Sequence, residues 1–200
     1  MNYFVKLGLV LLLITAIASG ILAFVNGLTA EKIKENKSVA EQKARKEVLG
    51  AAIRFEQQTV TLPALEVEPN PLKNKAEAGP RQFKYYMGYN SDSELAGYTF
   101  VAALYGYSSL VKTMVGVNLD MTIAQIKVIE QSETPGLGAN AGTADFQSRF
   151  TSMNYEQLKV DKDGGAIKSL TGATITSRAV TNSIAEGMKI LKDEVNGEDK

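Results

Sequence analysis

Residues 7–25 contain no charged side chain and almost no polar one. Wound as a helix with a rise of about 1.5 Å per residue, the run is about 28 Å long, close to the hydrocarbon thickness of a bilayer. A helix buried in a soluble core would show a polar face, and this stretch shows none. We therefore read it as a membrane anchor at the start of the chain. The competing reading is a cleaved leader with Ala16-Ile17-Ala18 as its small-residue site, but residues 21–25 prolong the apolar run beyond that point and favour retention. Lys6 flanks the run on one side, and Lys32, Lys34 and Lys37 on the other. That count does not favour an N-inside arrangement, and long polar domains cross largely regardless of it.

Behind the anchor the chain has room for one domain of ordinary size within its 200 residues. Its 22 basic and 22 acidic side chains cancel, so there is no electrostatic case for a nucleic-acid partner. Cysteine and histidine are both absent. This excludes disulfides, thiol catalysis, thiolate-held iron–sulfur clusters, His-ligated haem and the usual zinc sites. A chain of this kind that handles electrons needs an organic cofactor.

Residues 29–52 read as a polar helix, with Thr29 as its N-cap and Glu31 in its first turn. Ile33, Ala40, Ala44 and Val48 form a thin apolar stripe, compatible with a stalk or with a helix packed on the domain, and Gly50 ends the pattern. Residues 59–80, punctuated by Pro63, Pro69, Pro71 and Pro80, read as loop with short edge strands. Strands are expected at 84–89, 96–104, 110–119 and 122–131, where β-branched and aromatic residues lie between Gly, Asn, Asp and Ser. In the third, Val111, Thr113, Val115, Val117 and Leu119 alternate with Lys112, Met114, Gly116 and Asn118, which predicts one face more buried than the other. Short connections predict consecutive antiparallel pairing. The expected class is α+β: one N-terminal transmembrane helix, then a mixed, largely antiparallel sheet with flanking helices. The divisions are an anchor at 1–28, a helical stalk at 29–58 and a domain at 59–200.

Two stretches carry chemistry. The first is Thr171-Gly172-Ala173-Thr174-Ile175-Thr176-Ser177, between a short β-like run at 166–170 and a helix whose stripe is Val180, Ile184, Met188, Leu191 and Val195. A helix entrance has unpaired N–H groups and the positive end of the macrodipole, so it suits a phosphate. Gly172 permits a sharp turn and a close approach. An ordinary N-cap explains one hydroxyl there. Thr174, Thr176 and Ser177 are more than a cap requires. The second stretch is Glu133-Thr134-Pro135-Gly136-Leu137-Gly138-Ala139-Asn140, which precedes a helix-like piece at 144–150. Its glycines let backbone approach a flat ligand while Leu137 projects; a rigid Pro-Gly turn is the alternative.

Together these motifs resemble the small flavin-carrying G subunit of the Rnf complex, the membrane ferredoxin:NAD⁺ oxidoreductase. They are also similar to the related C subunit of the sodium-translocating NADH:quinone reductase. Gly106-Tyr107, Val115-Gly116-Val117 and Glu133 through Gly138 match the family pattern, and Thr174 stands at the last position of its [ST]-G-A-[ST] motif. Three positions depart from it: Lys168 stands where Asp is usual, Gln131 where His is common, and Ser109 where glycine often follows.

The resemblance implies a plasma-membrane, single-pass protein with an extracytoplasmic FMN-binding domain. It implies FMN joined through its phosphate to Thr174 by a separate flavin transferase that uses FAD and releases AMP. Thr171 and Thr176 are expected to donate to phosphate or ribityl groups, with Gly172, Ala173 and Ser177 completing the phosphate site. Glu133, Thr134 and Leu137 are expected beside the ribityl chain or ring. The implied role is electron relay within a complex coupled to Na⁺ or H⁺ transport, with other membrane subunits and the bilayer as partners and no catalysis by the chain alone. The different-class readings are a membrane-tethered binding module in which the first motif is only a cap, and a tethered reductase acting by itself.

Overall fold

The computed structural model describes residues 3–63 and 81–198. Backbone contacts divide the chain into two units, Met1–Gln42 and Lys43–Lys200. The first unit is helical. Helix α1 (Tyr3–Val48) starts in it and is long and apolar enough to cross a membrane, with none of its most apolar 18-residue window buried. The expected fresh start at Thr29 does not occur. The Thr29 hydroxyl donates to the Val25 carbonyl at 2.9 Å, which is the back-bond of a mid-helix threonine and not an N-cap. Nothing between 25 and 33 interrupts the backbone ladder, so the hydroxyl bonds to the preceding turn instead of starting a new helix.

The second unit is a five-stranded antiparallel meander, in spatial order β1 (Arg54–Leu62), β2 (Arg81–Tyr89), β3 (Leu95–Tyr105), β4 (Leu110–Val117) and β5 (Ile123–Glu130). The four expected strands are present, and each pairs with its sequence neighbour. Strand β1 begins inside the segment read as stalk, and pairs with β2 from Arg54↔Tyr89 to Leu62↔Arg81. Its side chains are mostly exposed, as suits an edge strand, so it lacks the apolar alternation that marks the others. Much of the proline-punctuated stretch, including Pro69, Pro71 and Pro80, lies outside the described residues. Helix α2 (Ala144–Ser148) follows β5, and helix α3 (Thr174–Glu198) closes the chain.

Helix α3 covers one face of the sheet. Val180, Ile184, Met188 and Leu191 are buried with Phe100, Val115, Ile126, Phe146 and Ile167 in one core, and Val195 packs against it. Each fully buried aliphatic side chain of this kind contributes about 1.5–3 kcal/mol. In β4 Val111, Thr113, Val115 and Val117 are buried as expected, but Leu119 lies beyond the strand and is exposed, and Met114 and Gly116 on the opposite face are buried as well. They are covered because Ala44 and Val48, on the last turns of α1, pack there. A Cβ on Gly116 would lie 2.2 Å from the Val48 carbonyl oxygen, so glycine is what lets that turn sit on the sheet.

The run at 166–170 is not a strand. It makes one parallel bridge, Val160↔Ile167, and then its backbone turns to side-chain partners, with Leu170 N–H donating to the Ser177 hydroxyl at 2.9 Å.

Candidate functional site

Three segments meet at one end of the sheet: the β3–β4 turn at 106–109, the Glu133–Gly138 stretch and the first turn of α3. Between them lies a cleft of about 490 Å³, lined by Tyr107, Glu133, Thr134, Leu137, Gly138 and residues 172–176. That is the size of a pocket for a cofactor-sized ligand.

The entrance to α3 shows which hydroxyls are free. Ala173 N–H donates to the Leu170 carbonyl at 3.0 Å, and Ser177 N–H makes the first intrahelical bond, to Ala173 O, at 3.0 Å. Ala173 therefore stands at the N-cap, and no hydroxyl caps this helix in the expected way. Gly172, with φ of 73°, makes the turn into it. The Ser177 hydroxyl accepts from Leu170 N–H and donates to Ala173 O at 3.0 Å. The Thr176 hydroxyl, fully buried, donates to Glu133 Oε2 at 2.7 Å. Both hydroxyls, expected beside the phosphate and ribityl groups, are bonded within the protein in this structure. Thr171 is exposed and stands outside the cleft lining. Thr174 is half-buried and lines the cleft, and among the described residues its hydroxyl makes no hydrogen bond. The N–H groups of Thr174, Ile175 and Thr176 precede the first intrahelical donor and have no acceptor within the helix.

The sequence reading places Glu133 beside the ligand. The residue is 6% exposed, and its carboxylate accepts from the protein side. It accepts from the backbone N–H groups of Tyr107, Ser108 and Ser109 at 3.2, 2.9 and 2.8 Å, from the Ser109 hydroxyl at 3.2 Å and from Thr176. Burial pushes its carboxyl up, but the Thr176 hydroxyl and the Ser108 and Ser109 donors outweigh burial, and the net direction is down. Two glycines make room for it. A Cβ on Gly106 would come within 2.8 Å of Oε1, and one on Gly138 within 2.6 Å of Oε2.

Thr134, Leu137 and Gly172 do come together at the cleft with Ala173 and Thr174. Sequence reasoning misses the part played by Gly106, Tyr107 and Ile175. The Gly106-Tyr107 match is the one signal that points there. Exposed Tyr107, Leu137 and Ile175 give the cleft apolar walls. At the departures from the family pattern, Gln131 Oε1 accepts from Glu133 N–H at 2.7 Å, and the Ser109 hydroxyl accepts from Ser132 N–H at 2.8 Å. Lys168 is exposed.

The second unit is thus an open antiparallel sheet with a cleft at the entrance of α3, and α1 is long and apolar enough to cross a membrane. Residues 106–189 match the family model of the FMN-binding domain, and residues 3–48 match that of the RnfG N-terminal region. The fold is shared with NqrC of Shewanella oneidensis, at a TM-score of 0.55 and 17% identity, over 74% of this chain and 91% of that one. It is shared too with the C subunit of the Na⁺-translocating NADH-quinone reductase of Parabacteroides distasonis, at 0.53 and 18%, over 77% and 91%. The G subunit of the Na⁺-translocating ferredoxin:NAD⁺ oxidoreductase complex of Acetobacterium woodii is 35% identical over 94% of this chain and 91% of its own length. The G subunit of the ion-translocating oxidoreductase complex of Methanosarcina acetivorans is 29% identical over 90% and 89%. The chain belongs to the family of G subunits of ion-translocating, Rnf-type oxidoreductase complexes.

Proposed function

We propose that this chain is an electron-relay subunit of an ion-translocating membrane complex, and that it carries FMN as a phosphoester on Thr174. One observation carries the attachment reading. Of the hydroxyls in Thr171–Ser177, Thr174 alone both lines the cleft and is unspent. On attachment, Thr174 Oγ1 loses its proton and gains a bond to phosphorus, as the bond from that phosphorus to the AMP half of FAD breaks and AMP leaves. The unpaired N–H groups of the first turn and the helix dipole stabilise the phosphate charge that remains. Leu137, Ile175 and Tyr107 offer apolar surface to a flat ring, while exposed Thr134 and Thr171 stand nearby for its polar chain. When bound, FMN supplies the electron transfer that no side chain of this protein can provide. A covalent tether replaces a concentration-dependent equilibrium with a permanently filled site.

The apolar helix supports membrane association, and we place the flavin-binding domain on the extracytoplasmic side. Other subunits of the complex are the electron donor and acceptor, a flavin transferase is the maturation partner, and the bilayer holds the anchor. The test is the intact mass of the full chain produced with a flavin transferase. A single adduct of FMN less one water, absent in Thr174→Ala, is expected. A wild-type chain without the adduct overturns the attachment reading.

A further inference from the structure

We propose that Glu133 is a positioning residue for flavin attachment: it holds the first turn of α3 so that the Thr174 hydroxyl is presented to the attaching enzyme. The inference rests on Thr174 being the acceptor.

Glu133 lines the cleft but has nothing left to offer a ligand. A carboxylate has roughly four lone-pair sites, and the five donors around Glu133 occupy them. None of those donors belongs to Thr174, so Glu133 does not act on the reacting hydroxyl itself. Its role follows from what it joins. The β3–β4 turn and α3 are brought together through this one carboxylate, with Gly138 close beneath it.

The first turn of α3 depends on that bond more than most helix entrances would. Ala173 stands at its N-cap, and alanine offers no side-chain acceptor to the orphan N–H groups. Two side-chain ties hold the turn in place, and both leave those N–H groups unpaired. Ser177 ties the turn back to Leu170, and Thr176 ties it across to Glu133. With 3.6 residues per turn, fixing Thr176 and Ser177 leaves little freedom for the rotation of Thr174 about the helix axis. Loss of the Glu133 anchor frees that rotation while the core beneath, around Val180 and Ile184, stays packed.

The experiment measures kcat and KM of a purified flavin transferase with FAD, taking the full chain in detergent as its protein substrate. Thr176→Val removes the hydroxyl at nearly constant shape, Thr176→Ser keeps it, and Glu133→Gln keeps the size of the carboxylate but loses its charge. Ile184→Val, in the core away from the cleft, is the control for destabilisation alone. We expect kcat to fall at least tenfold in Thr176→Val and Glu133→Gln, with Thr176→Ser restored to within threefold of wild type. Ile184→Val should attach flavin at the wild-type rate even where its melting temperature is lower. Wild-type kcat in Thr176→Val overturns the proposal, including when Glu133→Gln fails to fold. So does a loss of rate in Ile184→Val that tracks melting temperature as closely as in Thr176→Val. A wild-type chain that takes up no flavin strikes the acceptor reading instead, and the two failures are thereby told apart.

Discussion

Replacing Gly138 by alanine tests the geometry of the site with a single methyl group. A Cβ built there lies 2.6 Å from Glu133 Oε2, 2.7 Å from Thr176 Oγ1 and 2.9 Å from Glu133 Cβ. It would come against both ends of the 2.7 Å bond between those residues. The methyl is accommodated only if that bond opens or the Glu133–Gly138 segment shifts. Loss of a hydrogen bond to a buried charge costs about 1.5–3 kcal/mol. Overpacking adds about 1–3 kcal/mol. Against this stands about 0.4–1 kcal/mol gained because alanine restricts the unfolded chain. The net expectation is roughly 2–5 kcal/mol, and at about 2–4 °C per kcal/mol for a protein of this size the melting temperature should fall by roughly 4–20 °C.

The assay is thermal unfolding of the full chain in detergent, followed by near-ultraviolet circular dichroism and, in matured protein, by flavin fluorescence. Gly142→Ala is the matched control. A Cβ at Gly142 meets nothing within 4 Å, so its melting temperature should stay level or rise slightly. If Gly138→Ala and Gly142→Ala melt within about 2 °C of each other, the close approach of Gly138 to the Glu133–Thr176 pair is not what holds this end of the domain.

Glu133 should also shape the acid limb of stability. Its folded-state carboxyl is held below the ordinary glutamate value, so it contributes stability that is complete above that value and lost as pH falls through the folded one. Melts from about pH 7 to about pH 3 should show a steeper acid loss in wild type than in Glu133→Gln, and parallel acid limbs would refute the assignment. With no histidine in the chain, no side chain of ordinary pKa titrates near neutrality, so stability between about pH 6 and about pH 8 should be nearly flat. Gly116→Ala sets a methyl 2.2 Å from the Val48 carbonyl oxygen and 2.7 Å from its carbon. Because the obstacle is backbone, the cost should reach about 3 kcal/mol or more, read as the midpoint in a denaturant titration. Asp163→Asn removes a paired fork in which Arg178 Nε and Nη2 donate at 2.8 and 2.6 Å. The pair is solvent-accessible, so the denaturation midpoint should stay close to that of the wild type.

What can be read from the residues, and what cannot, follows from how locally each feature is encoded. The stripe from Val180 to Leu191 is a record of burial written at fixed spacing, so α3 is legible; β4 is legible from its β-branched residues, although both of its faces are covered. Strand β1 is not, because an edge strand with exposed polar side chains leaves no such record. Thr29 misleads because a threonine near a change in composition suits a cap and a mid-helix back-bond equally well. The cleft is half legible. The motif around Thr174 points to the hydroxyl we propose for attachment, but nothing near Thr176 in the chain shows that its own hydroxyl is spent on a carboxylate 43 residues away. Nor can Glu133 be told from a ligand contact, since most of its partners are backbone N–H groups, which nearly every residue type supplies equally.

The departures from the family pattern lose their weight for the same reason. What the site asks of position 131 is an acceptor for Glu133 N–H, and the glutamine amide oxygen supplies one at 2.7 Å. What it asks of position 109 is a backbone N–H, which serine provides while adding its own hydroxyl to Glu133 at 3.2 Å. Lys168 is exposed, and no side-chain bond of the cleft passes through it. The hydrogen bonds that define the cleft are therefore compatible with all three substitutions. By contrast, a side chain at Gly106 or Gly138 would collide with the carboxylate that joins the two motifs. On this geometry those two glycines, and not the more conspicuous polar positions, should be the least tolerant residues around Thr174.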